Sequence, residues 1–284
     1  MSNTIVYAEE WTIKAQEKLS ENNKWKEVCT VEYTDDRVLH NPYITDPSVQ
    51  DGTRGSAYTH QDITLNDDSV TISDFKILPQ LIDRADLAQQ TFVKQMELAS
   101  RQAVLLNERI ETAMLAEHAQ WTNFDNASIG GAAGNITVSE SNVDDIIRAM
   151  KREIREANGE SLMETKGTFI IWRAADFEKL EAYAQAQGFN TSDDALKNGI
   201  KQGFKYMDVE HYSSNKHASG HLFGGVKKVF HCGIVKSTYG QVVVDQEPAT
   251  SGGAVSGVAV IMRVDYKFKA WNKTVPVLFD ILVA

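Results

Sequence analysis

The chain has 284 residues, 42% hydrophobic and 24% charged, enough apolar material for a sizeable core in one large or two modest domains. No stretch approaches the roughly 18 consecutive apolar residues of a membrane helix, and the opening MSNTIVYAEEW lacks the basic start and apolar run of a secretory signal. A net charge of −10 argues against a dedicated nucleic-acid binder, whose footprint would be basic. Two cysteines far apart, Cys29 and Cys232, fit a reducing compartment without a disulfide framework. The charge is uneven: residues 1–100 carry 17 acidic and 9 basic side chains, and residues 226–284 carry 4 and 7. An acidic first third and a basic C-terminal segment can attract one another between neighbouring subunits.

In chain order, residues 1–44 are mixed and polar, with a short helix expected near Trp11–Leu19 and a strand near Val28–Tyr33. Residues 45–61 are turn-rich. Ile63 and Leu65 then alternate with polar neighbours, Asn66–Ser69 supply a turn, and Val70 and Ile72 alternate again, which predicts a β-hairpin. A lone hairpin is marginal in water, so something must hold it. No continuous apolar set precedes residue 80, and this arm is expected to borrow a core from another subunit.

Phe92, Met96, Ala99, Ala103, Leu106, Ile110 and Ala113 recur at alternating spacings of four and three, one apolar stripe on a helix from Thr91 to about His118. At 1.5 Å per residue such a helix spans roughly 40 Å, the width of a small domain. A Gly-rich loop follows (Asp125–Thr137), then a helix capped near Ser141, with Val143, Ile146, Ile147, Met150 and Ile154 on one side and a stop at Asn158-Gly159. Thr168–Trp172 reads as a buried strand, Asp176 opens a second helix, and Val226–Val235 and Gln241–Val244 are short strands. At the C-terminus, Val258, Val260, Met262, Val264, Tyr266 and Phe268 face one way while Arg263, Asp265, Lys267 and Lys269 face the other. A second strand, Val275–Val283, is expected to pair with it, the long helix packing on the dry face of the pair.

Little here carries chemistry. The loop Gly130–Gly134 lacks the Lys-Ser/Thr of a phosphate loop. His211, His217, His221, His231 and Cys232 crowd into 22 residues and invite a metal reading, but their spacing matches no closed zinc signature. Neither a Gly-x-Ser-x-Gly elbow nor a His-Glu-x-x-His helix occurs. The expectation is a structural protein with no catalytic residues, no cofactor and no metal.

The order of elements resembles the major capsid proteins of tailed bacteriophages, with the Hong Kong 97-type shell fold. ITLNDDSVTI, within Ala57–Ile77, looks like that family's extended loop, a two-stranded hairpin that reaches over a neighbouring subunit; LAQQTFVKQMELASRQAVLLNERIETAML is similar to its spine helix; TFIIWRAADFEKL and MDVEHYSSN resemble axial-domain stretches. The resemblance implies an α+β fold with an N-terminal arm (1–50), an extended β-hairpin loop (51–78), a peripheral domain (79–122 and 247–284) and an axial domain (123–246). It implies self-assembly into pentamers and hexamers of an icosahedral shell around double-stranded DNA, touched only non-specifically, within a virion assembled in the bacterial cytoplasm. With fewer than about 50 residues ahead of the loop, a separate scaffolding protein is expected, beside a portal protein and decoration proteins. The assembly interface is expected at Tyr58, Ile63, Leu65, Val70, Ile72, Phe92, Met96, Arg263, Lys267 and Lys269. An encapsulin-type cellular compartment of the same fold is the nearest alternative. A metal-dependent soluble enzyme using the His/Cys loop and a filament protein of the tail-tube kind are more distant ones.

Overall fold

The computed structural model describes residues 24–55, 57, 60–83, 92–186, 204–245, 249–250, 253–254 and 257–284. In chain order the elements are α1 (Lys24–Val28), β1 (Thr30–Thr34), β2 (Val38–Ile44), β3 (Leu65–Thr71), β4 (Asp74–Asp83) and the long helix α2 (Phe92–Ala116). Then come β5 (Thr122–Phe124), α3 (Val143–Glu156), α4 (Glu160–Lys166), β6 (Thr168–Trp172), α5 (Ala174–Ala186), β7 (Phe204–Tyr206) and β8 (Val209–Ser213). The last are β9 (His221–Val226), β10 (Phe230–Val235), β11 (Gln241–Asp245), β12 (Ala249–Thr250), β13 (Gly253–Ala254), β14 (Gly257–Ala270) and β15 (Leu278–Leu282). The helix expected near Trp11–Leu19 lies outside the described residues. Among the described residues no helix is long and apolar enough to cross a membrane.

The period-two pattern of β14 organises the first sheet. β4 runs antiparallel along Gly257–Tyr266; β11 pairs Ala259–Arg263 and β10 pairs Tyr266–Ala270. Since β4 and β11 pair the same residues of β14, they must occupy its two opposite edges. β1 adds to β10 in parallel. Val260, Met262, Val264, Tyr266 and Phe268 are all buried, and α2 packs over β14 and β4 with Ala103, Leu106, Ile110 and Met114 buried beneath it. The stripe and the dry face are the two halves of one core.

A second, six-stranded sheet runs β5-β15-β9-β6-β8-β7. Every residue of β6 (TFIIW) is buried, as a central strand requires. The apolar side of α3 (Val143, Ile146, Ile147, Met150, Ile154) is fully buried, and α3 packs on β9.

Three features differ from the sequence-based expectations. The two C-terminal strands do not pair with each other. A 3-10 turn at Val275–Val277, containing Pro276, redirects the chain, and β15 inserts between β5 (parallel) and β9 (antiparallel). Leu278, Phe279, Asp280 and Ile281 are buried on both faces, which the edge of a half-wet pair could not provide. Second, Asn66–Ser69 are not a turn. Leu65–Thr71 is one strand, and its antiparallel partner is Val38–Ile44 in the supposed arm. Third, the chain from residue 24 does not wait for another subunit: Trp25, Val28 and Cys29 are fully buried, Cys29 Sγ meets Met114 Sδ on α2 at 3.3 Å, and β1 completes the first sheet. Three large apolar groups suffice to seat this segment once β10 offers a free edge.

Truncating Ile110 to alanine leaves a cavity between α2 and β14 and should lower stability by about 2–5 kcal/mol in guanidinium denaturation. His211 supplies a pH test. It is fully buried, its Nδ1 accepts from Trp172 Nε1 at 3.0 Å, and burial pushes its pKa down to about 4, against a weaker opposing effect of the Tyr206 carbonyl. The unfolded chain therefore binds more protons between the free imidazole value of about 6.5 and about 4, so stability falls as pH drops through that window. The expected loss, on the order of 3 kcal/mol, should be absent from the pH profile of His211→Asn.

Candidate assembly surface

β2 and β3 form a ribbon that, among the described residues, pairs with neither sheet. Its base is held by a small apolar core of its own: Leu39, Ile72, Val235 and Trp271, with Val70 packed against them. Leu39 lies so close to Gly233 on β10 that any Cβ there would collide with it. Gly233 is opposite Lys267 in the ladder, so the ribbon covers the face of the first sheet that turns away from α2.

Polar contacts reinforce the base. Asp68 accepts from the backbone N–H of Asn272 at 2.9 Å and pairs with Lys269 at 3.5 Å; Asp67 meets His40 at 2.6 Å. These partners explain how an Asp-Asp pair typical of turns sits inside a strand. Lys267 binds Asp74 at 2.9 Å, which holds its pKa above the usual lysine value, and Lys273 binds Asp46 at 2.9 Å. Buried Asp265 takes Arg263 at 2.5 and 2.9 Å and Arg37 at 3.3 Å. The acidic N-terminal third and the basic C-terminal segment thus find each other within one subunit. The exposed pairs are worth roughly 0–1 kcal/mol each, so they fix register more than they add stability.

Beyond this base, where Lys273 still reaches Asp46 and the Ile44 carbonyl, the ribbon leaves apolar side chains uncovered. Ile44, Val49, Ile63 and Leu65 are exposed, Val49 and Ile63 almost fully (97% and 80%). The same sheet face is also bare where the ribbon stops covering it. On β4, Phe75, Ile77 and Leu81 alternate outward and are about half exposed; Pro79 lies opposite Ile261 of β14, and Val243 of β11 adjoins from the other edge. Arg263 caps the strip with its guanidinium 4.8 Å from the Phe75 ring centre. Contiguous apolar strips rimmed by charge are unusual on a free surface and mark contact sites.

The ten residues expected at an interface divide accordingly. Ile63 and Leu65 are exposed on the ribbon, whereas Val70 and Ile72 are anchors at its base. Arg263, Lys267 and Lys269 neutralise carboxylates of their own subunit. Tyr58 lies outside the described residues, as do the side chains of Phe92 and Met96, whose backbone forms the first turns of α2. The strip Phe75, Ile77, Leu81 and Val243 is not among those ten, although FKILPQL carries the period-two signal of its β4 part.

The histidines and cysteine of the metal reading are dispersed. His211 is under Trp172; His231 Nδ1 meets Glu32 at 2.6 Å on β1; Cys232 is buried, and burial pushes its thiol far up. His221 instead joins His118 and Asp280, their ligand atoms all within 4.8 Å of one another. The two imidazoles are stacked, 3.8 Å between centres and 22° between planes. Among the described residues this is the group whose ligand atoms lie close enough together to hold a metal ion.

No protein-family model matches this chain, and no curated protein matches its sequence. Solved structures do match. A structure from Gordonia phage Cozz superposes with a TM-score of 0.61 at 12% identity, covering 95% of this chain and 86% of that one. The mature capsid of bacteriophage PhiM1 gives 0.58 at 10% identity, covering 93% and 87%. The virus-like particle from Pyrococcus furiosus gives 0.56 at 11% identity, covering 96% and 98%. The chain has the Hong Kong 97-type shell fold. In that fold α2 is the spine helix and the β2–β3 ribbon stands where the extended loop was expected, with a different pair of strands.

Gly233→Ala places a methyl group against Leu39, an overpacking expected to cost about 1–3 kcal/mol. The ribbon base should loosen first, so protease cleavage between residues 45 and 64 should speed up before the rest of the subunit becomes sensitive.

Proposed function

We propose that this protein is the shell-forming subunit of a tailed-bacteriophage capsid, a structural protein without catalytic activity that assembles in the bacterial cytoplasm into pentamers and hexamers and resides in the virion around double-stranded DNA. The observation that carries this reading is the pairing of the shell fold with two unpartnered apolar surfaces: the ribbon end (Ile44, Val49, Ile63, Leu65) and the sheet strip (Phe75, Ile77, Leu81, Val243). A ribbon end that leaves the strip of its own subunit uncovered is available to the strip of the next copy. Specific interfaces bury about 1,200–2,000 Å² in total, and a subunit that both gives and receives a ribbon shares such patches with two neighbours. Ring closure then makes each later contact effectively intramolecular, so many weak contacts hold a durable assembly.

In this reading, α2 and the first sheet (β1, β4, β10, β11 and β14) form the peripheral domain with its spine, and the six-stranded sheet with α3–α5 forms the axial domain, so β10 and β11 leave the expected 123–246 segment and β15 joins it. A separate scaffolding protein, a portal and decoration proteins are the expected partners, and DNA contact is weak and non-specific. A cellular compartment of the same fold is the second reading, favoured by the likeness to the Pyrococcus furiosus particle. Terminase and portal genes beside this one support the phage; a cargo-enzyme gene supports the compartment.

Replacing residues 46–63 with a short Gly-Ser turn keeps β2, β3 and the base intact while removing the exposed loop. The variant should be soluble and folded by circular dichroism yet form no closed shells in negative-stain micrographs. Normal particles from it would overturn the proposal.

A further inference from the structure

The middle of β15 carries a carboxylate where the strand is otherwise apolar. Asp280 lies between Phe279 and Ile281, and its side chain is only 3% exposed. A buried carboxylate is costly unless cations surround it. Asp68, Asp176 and Asp265, the other buried aspartates among the described residues, each take a lysine or arginine. Among the described residues Asp280 takes none, and its charged-type partners are two imidazoles.

The imidazoles come from two further elements. His118 stands in the 3-10 turn after α2 (His118–Gln120), and His221 opens β9. His221 Nδ1 lies 3.0 and 2.9 Å from the two carboxylate oxygens, and His118 Nδ1 lies 3.6 Å from one of them. One imidazole N–H already gives the carboxylate a hydrogen bond; what the trio lacks is fixed positive charge. Both rings are partly exposed, so an ion and water reach the site from solvent.

We propose that His118, His221 and Asp280 form a binding site for one divalent transition-metal ion of the zinc type, which staples the turn ending the spine helix to the six-stranded sheet. Imidazole nitrogen and carboxylate oxygen bind such an ion at about 2.0–2.2 Å. Ligand atoms sharing it therefore stand roughly 2.9–3.6 Å apart, as the bond angles run from octahedral to tetrahedral. Both nitrogen-to-carboxylate separations fall in that range, and the three ligand atoms all lie within 4.8 Å of one another. The rings stack at 3.8 Å between centres, and a nitrogen lone pair lies in its ring plane, so loading turns at least one ring out of the stack. Rotation of a histidine ring about its last side-chain bond is soft. Water takes the remaining position on the exposed side. The ligands come from separate parts of the chain, which is why no spacing signature announces the site.

Titration of zinc alone into the chelator-treated full chain, read by calorimetry and by the thermal midpoint, tests this. One ion should bind per subunit, and saturating zinc should raise the midpoint, because an ion that binds only the folded state stabilises it. His118→Gln, at a partly exposed position, and His221→Gln should each weaken binding at least about tenfold, since even groups behind a metal's ligands cost that much. Both should also erase the rise in midpoint, while circular dichroism without zinc shows that they are folded. His231→Gln, whose imidazole pairs with Glu32 on β1, should bind zinc as the wild type does. Absence of stoichiometric binding by the wild type, or equal binding by the wild type and both ligand variants, would overturn the site. Equal weakening in His231→Gln would place the ion elsewhere and overturn it too.

Discussion

A two-stranded ribbon cannot bury enough apolar surface to stand in water unaided, and here its buried apolar support, among the described residues, lies at its base. Leu39 and Ile72 reach down to Val235 and Trp271, and the missing side chain of Gly233 makes the approach possible. The rest follows from how far that support extends. Where the ribbon covers the outer face of the first sheet, the face is dry; where it ends, Phe75, Ile77, Leu81 and Val243 are left in water. The ribbon's far end is equally bare. One subunit therefore exposes two apolar surfaces, and in the proposed assembly each covers the other across neighbouring copies.

The charge distribution serves the subunit before it serves the assembly. Lysines on and after β14 hold the aspartates of β3, β4 and the loop after β2, and Asp265 gathers Arg37 and Arg263 beneath the ribbon. These contacts orient the ribbon with little energy each. The segment from Trp25 to Thr34 is likewise part of the folded subunit, so among the described residues of the N-terminal quarter the uncovered apolar groups narrow to the loop between β2 and β3 and the strip beside it.

The sequence was most legible where partners are close in the chain or a single period runs long. Ala103, Leu106 and Ile110 announced α2, Ile146 and Met150 announced α3, TFIIW announced a central strand, and the alternation from Val258 to Phe268 announced β14 and its dry face. Strand partners separated by tens of residues were not legible. Asp67-Asp68 carries the composition of a turn, and only Lys269 and Asn272, some two hundred residues on, show why it is a strand. Leu278–Leu282 has the pattern of any apolar strand, and its place between β5 and β9 is set by the turn at Val275–Val277. His118 is far in sequence from the histidine-rich stretch, and it meets His221 because the turn after α2 lies against the start of β9. Of the exposed apolar residues, Ile63 and Leu65 are legible by alternation, and FKILPQL gives Phe75, Ile77 and Leu81 the same period without showing which face stays uncovered.

The central claim is that the ribbon end of one copy is covered by the sheet strip of the next. Hydrogen exchange compared between dispersed subunits and closed particles measures this directly. Backbone amides in residues 44–65 and in residues 75–81 should both gain protection on assembly, while those of the ribbon base around residues 70–72 stay as they were. Particles in which both segments exchange as fast as in free subunits would contradict the account.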